Sequence, residues 1–278
     1  SRHLLTIGGN RILVDCGLFQ GLKQLRLRNW EPFEVSPANI DAVVLTHAHI
    51  DHSGYLPRLV RNGFKGPIYC TKATFDLCRI LLRDSGYLQE KDAERANRYG
   101  YTKHHPALPL YTQLDAQVCL ESFQVKPFNS AFEIASGIAV QFRHAGHILG
   151  AATAELKAKD RTLVFSGDLG RYDSPTMPDP KPIRAADVLV LESTYGDRLH
   201  GTEDPEEEIS KLVGAATARG GTVLVPSFAV GRAQTLLYHF ARLKRANRIP
   251  NIPVFLDSPM AQDATEVFCE NPADHKLS

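Results

Sequence analysis

The sequence lacks any apolar run long enough to cross a membrane, because its longest hydrophobic stretches are only as long as a single strand. It also shows no secretory signal and no C-x-x-C pair, although five cysteines are present, at positions 16, 70, 78, 119 and 269. Most of these cysteines lie in apolar segments, which predicts buried, reduced thiols rather than a disulfide framework. These absences predict a cytoplasmic protein with no membrane partner.

The sequence also lacks an excess of either charge, since 32 basic and 31 acidic residues leave a formal net charge of +1. A strongly basic composition, which many nucleic-acid-binding proteins have, is therefore absent. Charged residues make up 23% and hydrophobic residues 43% of the chain, which is typical of a folded globular protein. Its 278 residues are enough for one large domain and part of a second.

What the sequence does have is a dense cluster of histidine and aspartate between Thr46 and Gly54, where it reads THAHIDHSG. The cluster directly follows the apolar run Ala42 to Leu45, which has the length and the β-branched content of a buried strand. Imidazole and carboxylate groups are ligands that suit Zn²⁺ and similar metals. Solvated loop histidines are the simpler interpretation, but four candidate ligands at this spacing favour a metal site.

The spacing within the cluster favours two metal ions over one. His47 and His49 are two residues apart and can leave the strand end on the same side, towards one ion. Asp51 and His52 lie further along the chain and are expected to face a second ion. Two divalent ions about 3.5–4 Å apart can hold a bridging hydroxide and stabilise both the attacking and the leaving oxygen. The pattern therefore predicts hydrolysis of an ester-like or phosphodiester bond.

Two later strand ends supply further candidate ligands. One predicted strand runs into a turn with Gly146 and His147, and another ends in Gly167 and Asp168. Glycine lets the backbone turn sharply and approach an ion closely. Gly-Asp after a strand is also an ordinary turn signal, but the joint placement of these residues predicts that both side chains reach the site. Asp168 has two carboxylate oxygens and is expected to bridge the two ions.

The segment THAHIDHSG, with AGHILGAA at 145–152 and FSGDLGR at 165–171, resembles the metallo-β-lactamase superfamily of binuclear hydrolases. Three further segments narrow the resemblance to the β-CASP nucleases and to their RNA-processing branch: LESTYGDR at 191–198, VPSFAVGRAQ at 225–234 and LDSPMA at 256–261. That branch includes bacterial ribonucleases and the endonuclease that cleaves eukaryotic and archaeal messenger RNA at its 3′ end. The resemblance covers nearly the whole chain.

The resemblance implies two zinc ions held by the histidines and aspartates named above. The first ion would be held by His47, His49 and His147. The second would be held by Asp51 and His52, and Asp168 would bridge the two ions. Asp15 matches an aspartate that supports the ligands from behind in this family. Glu192 matches the first acidic motif of the β-CASP region, and catalytic roles are implied for Asp51, Asp168 and Glu192.

Candidate RNA contacts lie further along the chain. Arg232 enters a predicted helix, whose N-terminus attracts phosphate, and its guanidinium would add bidentate contacts. Ser227 and Phe228 stand just before it and would supply a hydroxyl contact and a face for base stacking. The predicted partner is single-stranded RNA, bound in the cleft between two domains.

The implied fold is α/β, a metallo-β-lactamase αββα sandwich with an inserted, here partial, β-CASP α/β domain. We place the boundary near Tyr195, with residues 1–195 in the first domain and 196–278 in the second. In the second domain, strands predicted at 222–226 and 253–256 alternate with helices, as in parallel βαβ units.

Relatives have an earlier first strand and additional histidines downstream, so the chain is expected to be an internal piece of a longer protein. The second metal site would then need one more ligand, and activity of this piece alone is not expected.

The function predicted from the sequence is that of a zinc-dependent phosphodiesterase that cleaves single-stranded RNA as an endonuclease, a 5′-exonuclease or both. Two alternatives stay open, a non-catalytic RNA-binding subunit and a small-molecule ester or thiolester hydrolase on the same scaffold. The six candidate ligands, all present in the sequence, argue against the first. The segment Glu192 to Ala261 argues against the second, because a small substrate needs no inserted domain. A homodimer is a further hypothesis.

Overall fold

The computed structural model describes residues 1–199 and 201–277, and two five-stranded sheets form its centre. The first sheet has its strands in chain order: β1 (Arg2–Ile7), β2 (Asn10–Cys16), β3 (Ala42–Val44), β4 (Ile68–Cys70) and β5 (Phe123–Val125). β1 and β2 form an antiparallel hairpin, and the remaining neighbours in this sheet are parallel. Parallel strands place their carboxyl ends at one edge, so β2 and β3 deliver their next residues to the same place.

The second sheet also follows chain order: β6 (Ala131–Ala135), β7 (Ile138–His144), β8 (Ala152–Ala158), β9 (Arg161–Phe165) and β10 (Val188–Val190). Its first four strands form an antiparallel meander, whereas β10 pairs with β9 in parallel. β3, and the strands β7 and β9 that run into the turns with Gly146 and Gly167, lie where the sequence predicts them.

Eight α-helices complete the described structure: α1 (Lys23–Leu27), α2 (Ile50–Ser53), α3 (Leu56–Arg61), α4 (Lys72–Tyr99), α5 (Gln113–Leu120), α6 (Pro205–Thr217), α7 (Arg232–Arg245) and α8 (Pro259–Glu270). α4 begins after Thr71, whose side chain accepts a hydrogen bond from the backbone N–H of Thr74. It ends at Gly100, whose left-handed backbone stops the helix. Across the described residues, no helix is both long and apolar enough to span a bilayer.

The alternation of side chains along β2 defines the layers of the molecule. Ile12 and Val14 are fully buried in a cluster that also contains Val140 and Phe142 of β7, so these side chains fill the space between the sheets. Leu13 points the other way, into a second cluster with helical residues of α3, α4 and α5. The layers are therefore helix, sheet and sheet, which confirms the predicted α/β class.

The prediction of parallel βαβ units after Tyr195 is wrong for the described residues. Residues 222–226 and 253–256 form no strand and belong to no sheet, and no backbone hydrogen bond pairs either segment with a strand. Their apolar side chains face solvent, with Leu224 85% and Phe255 83% exposed. A strand is stable only beside a neighbour that satisfies its backbone groups, and apolar alternation in the sequence does not reveal whether that neighbour is there.

α8 joins this later part of the chain to the first helical layer. Its residues Ala264, Val267 and Phe268 are buried in the same cluster as Leu77 of α4. α6 and α7 pack on each other through a small separate cluster built on Val213 and Leu243.

Candidate metal centre

The segment THAHIDHSG begins where β3 ends, at the carboxyl edge of the first sheet. Thr46 and His47 are fully buried, and the chain then turns into α2, for which His49 is the residue preceding the first turn. Asp51 and His52 lie on that turn. A buried strand followed at once by a short helix thus brings all four candidate ligands of this segment to one edge of the sheet.

Three imidazoles and one carboxylate meet in a first group. Nε2 of His47 lies 3.2 Å from Nδ1 of His49, and Nε2 of His147 lies 3.1 Å from the same atom. Oδ2 of Asp168 lies 3.7 Å from Nε2 of His47 and 3.5 Å from Nε2 of His147. One ligand atom from each of the four residues falls within 4.8 Å of all the others, which is close enough for a single ion.

A second group lies on the other side of Asp168. Nε2 of His52 is 3.1 Å from Oδ1 of Asp168 and 3.6 Å from Oδ2 of Asp51. The two oxygens of Asp168 therefore face different groups, Oδ2 the first and Oδ1 the second. This is the arrangement that a carboxylate shared by two ions requires.

Asp15 determines which nitrogen two of the histidines present. Its Oδ2 lies 2.7 Å from Nδ1 of His52 and accepts a hydrogen bond of 3.0 Å from the hydroxyl of Thr46. That hydroxyl in turn lies 3.1 Å from Nδ1 of His47. Because its own hydrogen is directed at Asp15, the Thr46 oxygen accepts from Nδ1–H of His47. Both rings thus carry a proton on Nδ1 and turn Nε2 towards the group.

Burial keeps the three imidazoles of the first group neutral. It lowers the pKa of His47 well below its usual range, and the other histidines lower it further. Burial, and next the neighbouring His147, lowers the pKa of His49 to about 4. The pKa of His147 is also lowered by burial, against the opposing effect of Asp168. Neutral imidazoles have lone pairs available, so this group needs no proton loss before it binds a cation.

His52 behaves in the opposite way. Burial acts to lower its pKa, but the hydrogen bonds to Asp15 and Asp168 outweigh burial and raise the pKa to about 10. Without a metal, His52 is therefore a cation that holds two carboxylates together. The two groups share Asp168 but differ in protonation.

The glycines before His147 and Asp168 have the backbone that the sequence predicts. Gly146 has a φ of +69° and Gly167 a φ of +57°, in the left-handed region that glycine adopts most easily. A Cβ on Gly146 would also lie 2.4 Å from the carbonyl oxygen of Pro178, and one on Gly167 would lie 2.9 Å from Cβ of Thr46. Both turns are therefore packed closely against their surroundings.

Glu192 lies beside the Asp168 turn and belongs to neither ligand group. Its Oε1 accepts a hydrogen bond of 2.7 Å from the backbone N–H of Leu169, the residue that follows Asp168. Its own N–H donates to the hydroxyl of Ser166 at 3.0 Å. Glu192 is therefore placed to hold the Asp168 turn in position.

The candidate RNA contacts lie at the start of α7. Arg232 is the first residue of that helix and is exposed, as is Ser227, while Phe228 is 85% exposed. The preceding Gly231 approaches Ile148, with 3.2 Å from an ideal Cβ position to Cγ2 of Ile148. The start of α7 thus lies next to the turn that carries His147.

Thr46 is the contributor to the site that the sequence analysis missed. It stands inside the motif, directly before His47, but a threonine at a strand end is usually an ordinary β-branched residue. The only signal in the sequence was its position directly before the candidate ligand His47. That its hydroxyl connects Asp15 with His47 is evident only from the three-dimensional structure.

Two packed sheets with two groups of metal-ligand type at one edge define an α/β domain with a candidate binuclear metal centre. The chain belongs to the metallo-β-lactamase superfamily, whose family model matches residues 3–204, and a β-CASP domain model matches residues 233–278. Both parts of the resemblance predicted from the motifs are thereby confirmed.

Named relatives agree with this assignment. The chain is 37% identical over 262 residues to Ribonuclease TTHA0252 of Thermus thermophilus, in a match that covers 94% of this chain and 56% of the relative. It is 32% identical over 269 residues to Transcription termination factor FttA of Methanocaldococcus jannaschii, covering 94% and 40% respectively. The chain thus spans about half the length of the curated relatives it matches.

A solved structure shows the same fold. A protein of unknown function from Enterococcus faecalis superposes with a TM-score of 0.54 at 16% identity, over 96% of this chain and 64% of that one. At this identity the likeness concerns the fold alone.

Proposed function

We propose that this protein is part of a zinc-dependent ribonuclease that hydrolyses phosphodiester bonds of single-stranded RNA. The proposal rests on the position of Asp168 between the two ligand groups. Its Oδ2 lies 3.5 Å from Nε2 of His147 in the first group, and its Oδ1 lies 3.1 Å from Nε2 of His52 in the second. The proposed ligands are those named from the sequence: His47, His49, His147 and Asp168 for one ion, and Asp51, His52 and Asp168 for the other.

The donor set fits zinc. It consists of imidazole nitrogens and carboxylate oxygens, and Asp15 supports two of the imidazoles on the side away from the site. Two zinc ions at such a site would supply a water activated at neutral pH and would neutralise charge on a phosphate. The protein's own part is to fix the ligands, which it does through the buried relay from His47 to Asp15 and through the turn held by Glu192.

RNA as the substrate is supported by the β-CASP match and by the relative named as a ribonuclease. Arg232 would bind a phosphate of the substrate, since it is exposed at the start of a helix beside the His147 turn. Ser227 and Phe228 would contact the neighbouring nucleotide. We further propose that the protein acts in the cytoplasm, which suits its buried free thiols, and that a homodimer is its assembly.

The test uses the full-length protein, end-labelled single-stranded RNA and the variant Asp51→Ala. We expect cleavage that a chelator abolishes, that zinc restores and that the variant lacks, and the product ladder separates endonuclease from exonuclease action. Asp51 has a side chain that is 51% exposed, so the variant should fold normally. RNA binding without cleavage by zinc-loaded protein would instead indicate a binding subunit. Turnover of small esters without RNA cleavage would indicate a small-molecule hydrolase.

A further inference from the structure

The surface formed by residues 18–30 lies near the candidate metal centre and takes no part in it. This segment leaves β2, forms a loop, α1 and one turn of 3-10 helix, and then leads towards β3. Four of its large apolar side chains are exposed, by fractions between 41% and 73%: Leu22, Leu25, Leu27 and Trp30. Scattered exposed apolar residues are normal, but four of them within nine residues form a cluster that is typical of a binding surface.

The charge of the 18–30 segment shows what kind of partner fits. Lys23, Arg26 and Arg28 are all exposed, and the sequence has no acidic residue between Asp15 and Glu31. Positive charges alternate with apolar and aromatic side chains along the segment. Single-stranded nucleic acid has the complementary features, since its phosphates are negative and every base offers a face for stacking.

The segment is fixed in shape without a partner. Asn29 is 6% exposed, and its side chain closes the loop by bonding both backbone groups of Phe19, with 2.9 Å from N–H to Oδ1 and 2.8 Å from Nδ2 to the carbonyl oxygen. Arg2 donates to the same Oδ1 at 3.0 Å. The guanidinium of Arg28 lies over the Phe19 ring, 4.4 Å from its centroid. A surface fixed in this way loses little conformational entropy on binding.

The segment is also anchored to α2, the short helix that carries Asp51. The backbone N–H of Leu18 donates to the carbonyl oxygen of Ile50 at 2.9 Å, and a Cβ on Gly17 would lie only 1.6 Å from the carbonyl oxygen of Asp51. Through Leu18, Phe19 and Asn29, the path from Asp51 to Trp30 is at most about 25 Å. An RNA strand of several nucleotides can reach both.

We propose that the 18–30 segment is a second contact site for single-stranded RNA, where Trp30 stacks on a base and Lys23 and Arg26 bind phosphates. The inference rests on the proposed ribonuclease function and adds the surface over which the strand passes outside the metal centre. A protein partner would use the apolar residues but would not need the row of positive charges.

Trp30 provides a direct probe, because it is the one tryptophan among the 278 residues. The experiment titrates zinc-loaded full-length protein with a hydrolysis-resistant phosphorothioate RNA about 12 nucleotides long, within the usual range of single-strand sites. We expect tryptophan emission to be quenched in step with the anisotropy change of the labelled RNA. A Trp30→Phe variant gives the emission that does not come from Trp30, which is then subtracted.

Variants measure the contribution of each part of the site. Trp30→Ala should weaken RNA affinity about 5- to 100-fold, whereas Trp30→Tyr, which keeps a stacking face, should stay within about threefold. The pair Lys23→Gln and Arg26→Gln should lower the salt slope of binding by about 1.4, the value for two lost phosphate contacts. Matched controls are Tyr99→Ala and the pair Arg95→Gln and Arg98→Gln, at the far end of α4, and these should leave affinity and slope unchanged.

The outcomes separate this inference from the proposed function. If the protein binds and cleaves RNA but Trp30→Ala binds as tightly as the wild type, the 18–30 segment is not an RNA site, while the ribonuclease proposal stands. A change in oligomeric mass in Trp30→Ala with unchanged RNA affinity would also overturn the inference, in favour of a protein interface. If zinc-loaded wild-type protein neither binds nor cleaves RNA, both the ribonuclease proposal and the second contact site are overturned.

Discussion

Oδ2 of Asp15 and Nδ1 of His52 lie 2.7 Å apart, in a pair whose side chains are 3% and 5% exposed. Asp15 makes this contact from a left-handed backbone, with a φ of +58°, a region in which aspartate and asparagine are enriched among residues other than glycine. This backbone directs the carboxylate at two of the candidate ligand histidines, His52 directly and His47 through Thr46.

The first prediction concerns this carboxylate. Asn adopts the left-handed region readily, so Asp15→Asn should keep the fold while removing the charge that faces His52. We expect zinc affinity to fall about 10- to 100-fold, as is usual when a partner of a ligand histidine is removed. Competition with a chromophoric chelator measures the affinity, and circular dichroism checks the fold. Unchanged affinity in a folded variant would show that Asp15 has no role in orienting the ligands.

The second prediction concerns the order in which the two groups bind metal. The three histidines of the first group are neutral at pH 7, since burial lowers their pKa, whereas His52 has a pKa of about 10 and must lose its proton. Affinity of the second group should therefore rise with pH, by about tenfold per pH unit between 7 and 9, and that of the first should not. Calorimetry in two buffers of different ionisation enthalpy counts the protons. Equal proton release from both groups would contradict the assignment.

The third prediction distinguishes a positioning role of Glu192 from proton transfer. If Glu192 acts by accepting the hydrogen bond from Leu169, then Glu192→Gln keeps an acceptor oxygen and should retain RNA cleavage within a few-fold. Glu192→Ala leaves that N–H without its partner and should lose about 10-fold or more, since one lost hydrogen bond to a charged group corresponds to about 1.5–3 kcal/mol. The ratio of the two rates in single-turnover assays is the measurement. Equal, large losses in both variants would make Glu192 a proton-transferring group.

The fourth prediction concerns Arg232. Replacing it with alanine should weaken binding of single-stranded RNA and lower the salt slope by about 0.7, the contribution of one phosphate contact. Arg219 is also exposed, lies outside the site segments and provides the matched control Arg219→Ala. Binding is measured by anisotropy at several salt concentrations. A slope equal to that of the control variant would exclude a phosphate contact at Arg232.

The sequence was sufficient to predict which side chains meet in the two candidate ligand groups, because four of the six stand within one nine-residue segment after a buried strand. His147 and Asp168 were also found, since glycine turns at strand ends are local features. The link between Glu192 and Leu169 could not be found in this way, because it joins two loops 23 residues apart through a backbone group that any residue supplies. The strands expected at 222–226 and 253–256 were predicted but did not form. Whether a segment pairs depends on a neighbouring strand, which the sequence of the segment itself does not reveal.

Residues 222–226 and 253–256 also affect how the chain behaves in concentrated solution. Leu224 and Phe255 protrude from backbone whose N–H and C=O groups belong to no sheet, which is the arrangement that promotes edge-to-edge aggregation. On heating at high concentration, we therefore expect these 278 residues to precipitate at a lower temperature than the one at which they unfold. A lysine in place of Leu224 would act as a gatekeeper against it.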